Sequence, residues 1–157
     1  MEQNKYVKLH SLLRMFAALL ALIIFVSMFI ATQIYHTEFT GVNFTWTEAF
    51  FGAGTYKAAP VGFIGYLFII IGGLAGLAFV FIDELIGKDL TKKLAFVAGG
   101  LMVVGGAMIL LNGAVFRGVN GLNFYYRLGA GPIVFGILGI IAGACDVAAP
   151  ILEDKGL

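Results

Sequence analysis

The chain of 157 residues is 61% hydrophobic and only 12% charged, with a net charge of +1 and a mean hydropathy of +0.98. Soluble domains carry about a quarter charged residues, so this balance excludes a soluble globular domain and predicts one integral membrane domain over 1–157. A helix needs about 20 mainly apolar residues to cross roughly 30 Å of hydrocarbon. Four runs meet that need, at about 12–34, 61–82, 94–114 and 130–149. Their apolar residues come in continuous blocks rather than the alternation of a membrane β-barrel.

The first run is not read as a secretion signal. Its apolar stretch, Met15–Ala31, exceeds the ~7–15 residues of such a core, and no small-x-small cleavage site follows. Between Arg14 and Gly41 it has no glycine, which marks it as the most lipid-exposed helix. His10 and His36 fall at its two ends, roughly 39 Å apart on a helix, too far to share a metal or haem. The connection that follows, "TGVNFTWTEAFFGAG", puts Val42, Phe44 and Trp46 on one side and Asn43, Thr45 and Thr47 on the other, a strand pattern. "TEAFF" reads as a short interfacial helix capped by Thr47, and Asn43-Phe44-Thr45 is an N-glycosylation sequon.

Glycines punctuate the remaining helices at intervals of seven. They are Gly65 and Gly72 in the second, Gly99, Gly106 and Gly113 in the third, and Gly129, Gly136 and Gly143 in the fourth. Gly72/Gly76 and Gly139/Gly143 are GxxxG pairs. Small residues let backbones approach where lipid offers no hydrophobic drive for association, so these seams are expected to pack the helices. Gly73, Gly100 and Gly105 lie off the stripes and are candidates for contact with a neighbouring copy. The 83–93 segment reads as a loop. The last connection, "AVFRGVNGLNFYYR", places Asn120-Gly121 between two strand-like runs, Val115–Val119 and Leu122–Tyr126, as in a type I′ hairpin.

Seven basic residues (Lys5, Lys8, Arg14, Lys88, Lys92, Lys93, Lys155) fall on one side of this topology and three (Lys57, Arg117, Arg127) on the other. The positive-inside rule puts both termini in the cytoplasm of a plasma-membrane protein. The two outer connections also match each other at an offset of 80: Gly41, Asn43 and Phe44 meet Gly121, Asn123 and Phe124. The expected fold is therefore an all-α membrane protein, an antiparallel bundle of four transmembrane helices with a small extracellular β-strand cap. It divides into two parallel helix-hairpin repeats, 1–80 and 81–157, related by pseudo-twofold symmetry.

The outer segments are dense in aromatics, with Phe44, Trp46, Phe50, Phe51, Phe124, Tyr125 and Tyr126 forming a candidate face for a partner or lipid. Asp146 sits about 21 Å into the last helix, where a carboxylate is costly and by default functional. Its other reading is an interfacial residue that meets Lys92, Lys93 or water where the helix ends before Pro150. With Asn112 and Thr32 it makes a candidate polar pathway. The lone Cys145 forms no internal disulfide, and no CxxC motif or phosphate-binding glycine loop occurs. Catalysis, cofactors, metals and a nucleic-acid partner are not expected.

In layout, with a longer first outer loop bearing Trp46 and a shorter second one, the chain resembles the tetraspan claudins without their W-x-x-W-C-C motif. "TEAFFG" and the glycine-rich helices resemble the small four-helix membrane proteins of unassigned function found in Gram-positive bacteria. The glycine seams and the aromatic outer face predict a non-enzymatic structural, assembly or interaction subunit whose partners are the bilayer and itself or another membrane protein. The alternative is a small transporter or channel subunit with Asp146 in or near a polar path.

Overall fold

The computed structural model describes residues 9–38 and 41–155. Lys5, Lys8 and Thr40, used above, lie outside the described residues. Four long helices dominate: α1 (Leu9–Ser27), α3 (Val61–Ile86), α4 (Lys88–Asn120) and α5 (Ala130–Asp154), joined by a short α2 (Trp46–Phe51) and strands β1 (Ile34–His36), β2 (Asn43–Phe44) and β3 (Tyr126–Leu128). The long helices are apolar enough to cross a membrane. They pack as an antiparallel ring in which α1 neighbours α3 and α5, and α4 neighbours the same two. The strands gather at one end of the bundle, here the sheet end; the other is the far end.

The helices depart from their hydropathic limits in instructive ways. The 83–93 segment is helical, not a loop, apart from Gly87, whose positive φ of 84° turns the chain from α3 into α4 in one residue. Polar helix formers such as those of "KDLTKK" continue a helix beyond its apolar run. α1 instead stops at Ser27, seven residues short of the expected 34. Buried Gln33 accounts for the stop: its Nε2 donates to the carbonyls of Met28 (3.2 Å) and Ala31 (3.3 Å), which frees the chain to extend into β1.

A three-stranded sheet is present, but two of its strands are not those expected. β1 is central, with Ile34 opposite both Phe44 of β2 and Leu128 of β3. Val115–Asn120 is the last stretch of α4, and Gly121 ends the helix at φ 63° with its neighbour's N–H returned to Arg117. Asn-Gly serves here as a helix stop with a left-handed cap rather than a hairpin turn. The residues matched across the two outer connections differ in setting: Phe44 is buried in β2, whereas Phe124 is exposed ahead of β3.

Glycine sets the helix spacing. A Cβ on Gly65 would fall 2.5 Å from the carbonyl oxygen of Gly105, and one on Gly105 the same distance from Gly65. Gly99 and Gly143 oppose each other likewise at 2.7 and 2.5 Å, and Gly106 faces Gly136. Gly72 abuts Ala98, Gly139 abuts Ile69, and Gly76 abuts the carboxylate of Asp146. Gly73 and Gly105, offered above to a neighbouring copy, are used inside the chain: Gly73 packs on Ala21 and Gly105 on Gly65. Gly100 alone of the three faces open space. The core between the seams is filled by Tyr66, Ile69, Met102, Ile109 and Ala142. α1 is the least buried long helix and presents Leu12, Met15, Phe16, Leu19 and Leu22 outward.

This packing predicts opposite outcomes for one added methyl. Gly106→Ala forces α4 from α5 and is expected to cost about 1–3 kcal/mol, lowering the thermal midpoint in detergent. Gly100→Ala is expected to leave that midpoint unchanged or raised.

Candidate functional sites

At the sheet end the aromatics divide into a core and a rim. Phe44 packs against Tyr56 (centroids 4.8 Å apart) and Phe116 (5.1 Å), and the Tyr56 and Tyr126 hydroxyls are hydrogen-bonded at 3.3 Å. That bond, then partial burial, holds the Tyr126 phenol above its ordinary pKa. Phe50 is buried against Phe63 and Tyr66. Phe44 and Phe50 therefore belong to the core and are removed from the candidate binding face. Trp46 is half-buried between Phe29 and Phe51, and Tyr125 lies on Phe124 with ring centroids 4.3 Å apart. Phe51 and Phe124, at 56% and 64% exposed, form the accessible rim.

The polar pathway residues are not brought together. Asn112 is buried, and its Oδ1 accepts the Gly62 N–H at 3.0 Å, so it caps the first turn of α3 from a neighbouring helix. Thr32 lines an open cleft with Tyr35, Asn43 and Gly129 beside the sheet. Because Gly106 meets Gly136 and Gly99 meets Gly143, Asn112 lies level with residue 130, roughly 24 Å from Asp146 at 1.5 Å per residue. Ile69, Met102, Ile109 and Ala142 fill the interval.

Asp146 is 1% exposed, and neither of its oxygens receives a hydrogen bond among the described residues. It does not meet Lys92 or Lys93: Lys92 pairs with Asp154, and Lys93 is exposed. Nor does the helix end there, since α5 runs through Pro150 to Asp154. Arg14 of α1 is the buried charge at this level. Gly73 packs on Ala18 and Ala21, and Gly76, one turn further along α3, faces Asp146. Arg14 lies one turn from Ala18, 3% exposed and with its Nη2 3.8 Å from Glu153 Oε2. Arg14 is the member that sequence reasoning left out. The signal was present, in one arginine at the edge of an apolar run and two acids seven residues apart on the last helix.

The short α2 shows how the rim is fixed. Its N-cap is Thr45, not Thr47, because the Glu48 carboxylate accepts both the backbone N–H and the hydroxyl of Thr45 at 2.8 Å. This is the reach-back half of a capping box. These two bonds, the backbone one first, hold Glu48 below its ordinary pKa of 4.5.

Comparison with family models, with curated proteins and with solved structures finds no match to this chain.

A group whose folded pKa is lowered stabilises the fold above its unfolded pKa and loses that contribution as pH falls through the folded value. The stability advantage of wild type over Glu48→Gln is expected to be at most about 1 kcal/mol, full above pH 4.5 and absent in stronger acid. Midpoints of the two proteins measured across that range check it.

Proposed function

We propose that this chain is a non-enzymatic membrane subunit that works by contact, with both termini cytoplasmic and the sheet outside. The observation that carries this reading is the contrast between a closed interior and an unsatisfied rim. Among the described residues, reciprocal glycine contacts and the buried Ile69, Met102 and Ile109 fill the bundle between Asn112 and Asp146, which disfavours conduction. The rings of Phe51 and Phe124 are exposed at the sheet end, on segments held by the α2 cap and by β3. Exposed aromatics on an ordered frame suit recognition of another polypeptide. The basic residues of the described chain support the orientation: Arg14, Lys88, Lys92, Lys93 and Lys155 at the far end, against Lys57, Arg117 and Arg127 at the sheet end. The matched outer connections support an origin by duplication of a helix hairpin. The partner is a second membrane-embedded polypeptide, either another copy of this chain or a different protein.

Native mass measurement and cross-linking in mild detergent test this reading. Wild type is expected to run with a bound second polypeptide, and Phe51→Ala/Phe124→Ala to run as a monomer with its thermal midpoint changed by no more than about 0.5 kcal/mol equivalent. A wild-type protein that is strictly monomeric and free of partners overturns the proposal.

A further inference from the structure

We propose that Arg14, Asp146 and Glu153 form a buried site for one exchangeable proton at the far end of the bundle, and that its position decides which carboxylate the guanidinium holds. Among the described residues, both oxygens of Asp146 lack a hydrogen-bond donor, and Nε and Nη2 of Arg14 lack a hydrogen-bond acceptor. At 1% and 3% exposure, ionised groups left so are strongly disfavoured by desolvation. The two unpartnered nitrogens are one edge of the guanidinium fork, the side that pairs with both oxygens of a carboxylate.

Two carboxylates share this single cation. Glu153 lies 3.8 Å from Arg14 with 20% of its side chain exposed. Asp146 lies deeper, placed at the level of Arg14 by the contacts of Gly73 with Ala18 and of Gly76 with Asp146, without a hydrogen bond among the described residues. One guanidinium neutralises one carboxylate, so the trio reaches neutrality by taking up one proton. Arg14 keeps its charge throughout. The proton enters from water at Glu153, the more accessible of the two acids, and passes between the two carboxyl groups, with no change in oxidation state. When Asp146 carries it, the guanidinium faces Glu153, as in the structure. When Glu153 carries it, the guanidinium turns to Asp146.

The surroundings suit such a site. Pro150 lies between the two acids and has no N–H, so the main-chain carbonyl of Asp146 lacks its usual helical donor and adds a third acceptor. From α3, Gly76 faces Asp146, and a Cβ there would come within 2.7 Å of either oxygen, so glycine leaves the carboxylate its space. Asp83 and Glu84 follow two turns further along α3. From α4, the Thr91 hydroxyl is committed to the Gly87 carbonyl, and Lys92 to Asp154. On α1, His10 lies one turn before Arg14. On α5, Cys145 adjoins Asp146.

Infrared difference spectra between acid and alkaline buffer, recorded on the protein in phosphatidylcholine vesicles, test the site through the carboxylic acid C=O stretch. Wild type is expected to show a component that Asp146→Asn removes. Glu153→Gln, at the accessible edge, is expected to move the pH midpoint of that component by about one unit or more, a tenfold change. Arg14→Lys is expected to keep the component and Arg14→Gln to displace it. If Asp146→Asn does not fold, the Glu153→Gln titration decides alone. A spectrum without this component, or a titration that Glu153→Gln leaves in place, overturns the proposal.

Discussion

The approach of α4 to α3 on one side and to α5 on the other is the constraint on which the fold depends. Each contact is made by main chain against main chain, through Gly65 with Gly105, Gly99 with Gly143, and Gly106 with Gly136. These helices are long and apolar enough to cross a membrane, and between helices of that kind close van der Waals approach carries the association. Once three helices lie this near, the space between them admits only a few larger side chains. Tyr66, Ile69, Met102 and Ile109 fill it. α1, without glycine, is fitted to the outside of this assembly by alanines, with Ala18 and Ala21 against Gly73.

A second requirement follows from the same apolar setting: main-chain ends buried at a helix terminus need partners from within the protein. The buried amides supply them. Gln33 serves the end of α1, and Asn112 serves the start of α3. Asn120 accepts the Lys57 N–H and donates to the carbonyls of Lys57 and Phe116. Arg117 donates to the Tyr126 carbonyl at 2.9 Å. Thr91 closes the turn after Gly87. Arg14 and Asp146 differ in kind, because no main-chain group accounts for them.

The existence of four long helices was legible because 20-residue apolar runs have few other fates. The glycine seams were legible because a period of seven keeps one face toward a partner. Of the eight glycines on that period, Gly65, Gly72, Gly99, Gly106, Gly136 and Gly143 lie at helix contacts, whereas Gly113 meets Leu128 of β3 and Gly129 meets Thr32. The ends were less so. Hydropathy sees the apolar layer and not the polar turns beyond it, which is why α4 outran its expected limits at both ends. β1 was hidden inside an apolar run, since Ile34 and Tyr35 look alike in a helix and in a buried strand. Asn120-Gly121 misled because one dipeptide suits two uses of positive φ. Of the outer aromatics, alternation could place Phe44 and Trp46 on one side of a strand, but not reveal that this side faces the protein's own core.

The single-residue junction at Gly87 has a mechanical consequence. α3 and α4, separated there by Gly87 alone, are held together along their length by the Gly65–Gly105 and Gly72–Ala98 contacts. α1 is fixed differently, by the strand that follows it: β1 is sewn to both neighbours, whereas the far end of α1 has no such fastening among the described residues. A helix held in this way has main-chain anchorage at the sheet and, toward the opposite edge, is held by side chains: Ala18 and Ala21 on Gly73, and Arg14 beside Glu153. Arg14 lies near that edge.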